Sequence, residues 1–173
     1  MFARTLLFLT WKAQGRGKTT NVSDTVWSYG SQTTTTNTYG VIGGRYEDSI
    51  ILLGGMSQRN MRCKYNITSD SYPSGCYNGQ GDLDTNVYAT AHGSTTYGST
   101  LYFNNAEDDS FYTYDMSAYG TSISTWDRAP SSLDYTCLTT DSYNERVFVI
   151  GGYDSSNTKD VSTVYSFDIS SQS

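Results

Sequence analysis

Three stretches carry residue types that could do chemistry. Gly15-Arg16-Gly17-Lys18-Thr19-Thr20 follows an apolar run and has the composition of a phosphate-binding loop. That motif needs a further glycine where Lys12 stands, and a helix beyond it whose N-terminal amides take the charge. No helical periodicity follows, so the stretch reads as a solvated loop. Asp82-Leu83-Asp84-Thr85-Asn86 alternates side-chain oxygens as a calcium loop does, without the glycine and bidentate glutamate of the EF-hand. Calcium is the one ion this spacing suggests. An ordinary wet loop is the simpler reading, so no metal and no cofactor are expected. His92 is the single histidine and cannot build a multi-imidazole metal site. No Ser-His-Asp order or paired carboxylates stand at an identifiable spacing, so no catalytic residue is assigned.

The elements that would position these residues are short strands. Arg146-Val147-Phe148-Val149-Ile150-Gly151-Gly152 is an apolar run of β-branched and aromatic residues stopped by a glycine pair. The same design recurs at Ser49-Ile50-Ile51-Leu52-Leu53-Gly54-Gly55. It recurs again, with the glycines replaced, at Thr100-Leu101-Tyr102-Phe103-Asn104-Asn105. A strand returning every 47 to 50 residues signals a repeat architecture. Tyr39, Tyr88 and Tyr135 open a preceding strand in each unit, and Tyr46, Tyr97 and Tyr143 mark the turn between the two. Downstream, Cys63-Lys64-Tyr65-Asn66 lines up with Tyr112-Thr113-Tyr114-Asp115 and with Tyr165-Ser166-Phe167-Asp168. Tyr77 and Trp126 each follow twelve residues later. The spacing predicts strands near 39–43, 49–53, 61–66, 75–79, 88–92, 100–104, 110–115, 123–127, 135–139, 146–150 and 162–168.

These residues resemble the kelch repeat: the apolar strand with its double glycine, the Tyr114-Asp115 pair, Trp126 after it and Pro130 beyond. The resemblance implies an all-β fold, a partial kelch-type β-propeller of about three to four four-stranded blades, with the first strand of each blade lining the central channel. The blades fall at about 1–30 (incomplete), 39–79, 88–127 and 135–169, the last lacking its fourth strand, in a single domain or fragment spanning 1–173. In this scheme Asp82, Asp84, Asn86, Asn105, Asp108, Tyr153 and Asp154 lie on loops of one face and are the candidate binding positions. His92 ends an innermost strand. A copper oxidase of the galactose-oxidase type would need several His and Tyr ligands there, and a sialidase would need clustered arginines and aspartate boxes; neither set is found.

Cys63 falls on a third strand and Cys76 beside the fourth-strand aromatic of the same blade, within disulfide reach across neighbouring antiparallel strands. Two free thiols are the alternative. Cys137 lies on an innermost strand and is expected to be a small buried residue. Asn21-Val22-Ser23 and Asn66-Ile67-Thr68 are glycosylation sequons, both between a third and a fourth strand. The net charge of −6 argues against nucleic acid and anionic membranes as partners. No stretch is long and apolar enough for a membrane-spanning helix. The apolar run Leu6–Leu9 is too short for a secretory signal. It reads, with Val26–Tyr29, as a strand of the incomplete first blade, because Trp27 stands twelve residues before Tyr39.

Together these features imply a non-catalytic extracellular or cell-surface binding or structural module that presents loops to protein or glycan partners. The alternative is a propeller domain of a larger secreted oxidase or glycosidase. A small closed ring would strain the angle between blades. The chain is therefore expected to join further blades of a longer protein or to self-assemble, for instance in an extracellular filament.

Overall fold

The computed structural model describes residues 41–55, 59–71, 76–77, 83–84, 86–87, 93–105, 110–128 and 133–171. Every regular element among them is a strand. Blade I runs Ile42–Tyr46 (β1), Ser49–Leu53 (β2), Arg62–Asn66 (β3) and Cys76–Tyr77 (β4). Blade II runs Ser94–Tyr97 (β5), Thr100–Asn105 (β6), Ser110–Asp115 (β7) and Ser124–Arg128 (β8). Each is an antiparallel meander in chain order. Blade III contains Leu133–Asp134 (β9), Cys137–Asp141 (β10), Arg146–Asp154 (β11) and Lys159–Asp168 (β12). Here β9 and β10 both pair with β11, so they form one interrupted inner strand and the blade is three strands wide among the described residues.

The second and third strands lie where the sequence places them. The first strands begin two to six residues later than expected. The sequence puts them at 39–43, 88–92 and 135–139, whereas the paired segments are Ile42–Tyr46, Ser94–Tyr97 and Cys137–Asp141. The reason is the hairpin. Tyr46 pairs directly with Ser49, and Tyr97 with Thr100, so the inner strand must run right up to a two-residue turn. Glu47 and Gly98 hold positive φ at the first turn residue, the sense that lets a two-residue loop follow strand twist.

The third-strand alignment is literal. Asn66, Asp115 and Asp168 stand opposite Ser49, Thr100 and Arg146. In each blade the next residue's amide donates to the hairpin turn: Ile67 to Asp48 O (2.9 Å), Met116 to Ser99 O (2.9 Å) and Ile169 to Glu145 O (2.8 Å). Each aligned side chain then caps its own loop. Asn66 Oδ1 accepts from Ser69 N, Asp115 Oδ1 from Ser117 N and Oγ, and Asp168 Oδ1 from Ser170 N and Oγ. These hydroxyl and amide donors hold the Asp115 and Asp168 carboxyls below the usual carboxylate range. Side-chain bonds from Asn144 and Asn157 do the same for Asp141 and Asp154.

The glycine pairs and the Asn104-Asn105 pair answer one requirement in two ways. Gly54 and Gly55 have φ of 66° and 128°, and Gly151 and Gly152 have 61° and 129°. The linker into the next inner strand runs close by: a Cβ on Gly54 would meet Val87 O at 2.4 Å, and one on Gly152 would meet Asp134 O at 2.7 Å. Blade II instead keeps a regular strand and reaches the linkers with amide side chains. Asn104 Nδ2 donates to Leu133 O (2.8 Å) and Asn105 Nδ2 to Asn86 O (3.4 Å).

Inner strands stand side by side and are joined by hydroxyls. Ser94 Oγ donates to Gly43 O (2.9 Å), and Thr140 Oγ1 donates to Thr96 O (3.0 Å). Between blades I and II lies a core of Ile42, Ile51, Leu53, Leu101, Phe103, Tyr112, Tyr114 and Met116, sealed by Leu83 and Val87 of the linker. Between blades II and III lie Tyr102, Phe111, Leu138, Val147, Val149 and Phe167. Blade II is thus buried on both faces, which is why β6 is apolar at three successive positions rather than alternating. The buried Arg62 ties the first seam: Nη1 donates to Tyr119 O, and the guanidinium lies 4.7 Å from the centre of the Tyr119 ring.

Two outcomes follow. Phe103 is fully buried between blades, so Phe103→Ala should cost about 3–5 kcal/mol in denaturant unfolding, and a cost below about 1 kcal/mol would contradict the packing. The four capped aspartates have folded-state pKa values below their unfolded values. Their stabilisation is therefore present above the unfolded carboxylate value of about 4 and is lost as pH falls through the folded values. The urea midpoint should fall as pH is lowered from about 5 to about 3, and Asp115→Asn should flatten that fall.

Candidate functional site

The loop residues singled out from the sequence do not form one open site. Asp82 and Asp108 lie outside the described residues, as do His92, Asn21 and the loop at 15–20. Asp84 is exposed, but its carboxylate accepts from Ile123 N (3.3 Å) and its amide donates to Thr121 O (3.0 Å), so it stitches the linker onto blade II. Asn86 is exposed and supplies the carbonyl that Asn105 binds. Asn105 and Asp154 are corrections: both are buried, at 3% and 5% exposure, because Asn105 reaches inward to the linker and Asp154 caps the turn at Asn157. Tyr153 is half-buried. Among the described residues no group of three or more His, Cys, Asp or Glu could hold a metal ion.

Cys63 is fully buried and stands opposite Cys76 in the pairing of β3 with β4. Directly opposed residues of an antiparallel pair have Cα atoms about 4.5–5.5 Å apart, within the range a disulfide spans. Cys137 is a further correction. It is a free thiol and exposed, because it faces away from blade II on the open side of blade III.

Sequence reasoning expected an uncovered end to the array but missed which residues form that open side. Strand alternation gives each blade one face toward the preceding blade and one toward the next. Counting from the hairpin turn, Ile51, Tyr102 and Phe148 are equivalent. On the third strand, Phe111 opposes Asn104 as Val164 opposes Ile150. In blade II this face is roofed. The Trp126 ring of β8 sits 5.2 Å from that of Tyr102 and 6.3 Å from that of Phe111, and Phe167 of blade III lies 4.9 Å from Phe111. In blade III the same face has no roof among the described residues. Ile150 is 41% exposed and Val164 56%, with Phe148 half-buried beside them.

The open face is layered. Cys137, Ile150 and Val164 form one row across the strands, and Thr139, Phe148 and Ser166 the next. Polar and charged residues close both ends: Asp134, Tyr153 and Asp160 at one, and Asp141, Arg146 and Asp168 at the other. Two shallow clefts mark these ends. One, of about 660 Å³, is lined by Tyr135, Gly152, Tyr153 and Asp160. The other, of about 420 Å³, is lined by Asp141, Asn144, Arg146, Phe148 and Asp168. Tyr135 holds a left-handed φ of 57° where the inner strand is interrupted, which turns its ring outward, 61% exposed. An apolar strip with charged ends is suited to packing against another protein surface.

Comparison with known proteins agrees with this architecture. Residues 135–173 match the family model of the Kelch motif. The chain superposes on the solved structure of YjhT with a TM-score of 0.59 at 11% sequence identity. The match covers 77% of this chain and 50% of that one, so the chain spans half the length of that structure. No curated protein matches the sequence.

Proposed function

We propose that this all-β, kelch-type partial β-propeller is a non-catalytic, protein-binding structural module of the cell surface or extracellular space, working as part of a larger propeller assembly. The observation that carries this reading is the open face of blade III. Phe148, Ile150 and Val164 occupy positions that are buried between blades in the rest of the array. Such a face is stable in water only when another blade or chain covers it. The layered arrangement, apolar in the middle and charged at both ends, suits a protein partner better than a small ligand. A glycan could still be taken by the loop aromatics Tyr135 and Tyr153.

Two features support an extracellular setting. Cys63 and Cys76 are directly opposed, and we propose that they form a disulfide that closes the outer edge of blade I. Asn66 ends β3 with its Oδ1 accepting from Ser69 N and Oγ, and its Nδ2 is the atom that would carry sugar. Thr68 of the same sequon is exposed.

Non-reducing peptide mapping of the native protein should recover the Cys63 and Cys76 peptides as one linked species. Reduction should then lower stability by about 3 kcal/mol. Glycosidase treatment should increase the electrophoretic mobility of the native chain, and Asn66→Gln should abolish most of that change. Two free thiols together with an unchanged mobility would overturn the extracellular assignment. For the binding role, Val164→Asp should abolish association of the 173-residue chain while leaving its cooperative unfolding intact. Unaltered association would remove blade III from the binding surface.

A further inference from the structure

The two ends of the open face of blade III use their carboxylates differently. At the hairpin end both are engaged by their own turns. Asp141 accepts from Tyr143 N and from both nitrogens of Asn144, and Asp168 accepts from Ser170 N and Oγ. At the other end Tyr153 stands between Asp134 and Asp160, directly opposed to each across the strands. Opposed residues of an antiparallel pair share a face, so the Tyr153 ring has an aspartate on either side. Asp160 lies within β12 and is exposed, and the adjoining turn is capped by Asp154 instead. Lys159 opposes the buried Asp154, so its ammonium belongs to the other face of the sheet.

The cleft at this end is built from Tyr135, Gly152, Tyr153 and Asp160, and its volume of about 660 Å³ lies in the range that holds a small ligand. Two backbone features shape it. Gly152 leaves one wall bare, because a Cβ there would meet Asp134 O at 2.7 Å. Tyr135 takes a φ of 57°, a conformation that glycine or asparagine adopts more readily, and so holds a large ring facing water.

Resting on the reading of the open face as a protein-binding surface, we propose that this cleft takes an arginine side chain of the partner. Asp160 is the counter-ion, and the rings of Tyr135 and Tyr153 are the walls. Tyrosine faces attract cations, and a planar guanidinium both stacks on a ring and forks onto a carboxylate. A neutral sugar would also stack on the rings, but it would cover Asp160 without neutralising it, and covering an unpaired charge is costly. The wider field agrees. Asp134, Asp141, Asp160 and Asp168 outnumber Arg146 at the ends of this face, which steers a basic surface toward it. The partner surface that fits is apolar where it meets Ile150 and Val164, and carries an arginine at the Tyr153 end.

An NMR titration of the 173-residue chain tests this with three probes: a short blocked arginine peptide, the same peptide with citrulline, and a neutral disaccharide. Citrulline keeps the shape of arginine and removes its charge. The arginine peptide should shift the amides of Tyr153 and Asp160 and bind about three- to tenfold more tightly than the citrulline peptide. Asp160→Asn should erase that difference. Tyr135→Asn, which suits the left-handed conformation, should keep the urea midpoint and lower arginine affinity. Equal binding of the two peptides, shifts with the disaccharide alone, or no shift with any probe would each overturn the arginine site. Val164→Asp reports on the open face separately. If it abolishes association while the peptides fail to discriminate, the cleft proposal falls and the binding face stands. If association is unaltered while Asp160 still selects arginine, the site stands and the reading of the apolar strip falls.

Discussion

Each blade can bury its apolar faces only against another blade. A four-stranded meander has two faces, and its own strands cover neither. In blade II both neighbours are present, and the result is a strand, β6, with its last five residues buried in succession. Blade I and blade III each have one such neighbour among the described residues. The two interblade cores account for nearly every large buried side chain. The hydroxyl bridges between inner strands, the Arg62 contact with Tyr119 and the Asn104 contact with Leu133 O all act across blade boundaries. Stability here is a property of contacts between units, and a unit with an uncovered face is an incomplete contact.

Much of this is legible in the sequence. The apolar second strands are plain, because a β-branched run stopped by Gly54-Gly55 or Gly151-Gly152 is too short for a helix and ends on the residues that best tolerate positive φ. The third-strand alignment of Asn66, Asp115 and Asp168 reflects a shared loop-capping device. What is illegible is set by tertiary contact. The inner strands carry glycines and small hydroxyl residues, because neighbouring inner strands crowd together, and so they lack an apolar signature. Tyr39, Tyr88 and Tyr135 offer a stronger periodic signal, but they stand several residues too early. Tyr135 is in fact an exposed residue in a left-handed conformation at a break in the strand.

The site residues depart from expectation for a related reason. Asn105 and Asp154 look like loop polars in sequence, yet both are buried where linkers and turns need donors and acceptors. Cys137 looks like a small core residue and is exposed, because position on an inner strand does not say which face is covered. An open face cannot be read from a pattern, since Val147 and Val149 toward blade II alternate with the equally apolar Phe148 and Ile150 on the other side. Only the packed neighbours distinguish the two sets.

The central claim is that blade III, in the working state of the protein, is covered on its open face and along the β12 edge. Hydrogen exchange of the β12 amides tests it most directly, because β11 pairs with alternate residues of that strand and leaves the others directed outward. If the edge is covered, the outward amides between Val161 and Asp168 should exchange as slowly as those of β7, which is paired on both sides. Exchange of those amides at the rate of an unpaired edge strand would contradict the account.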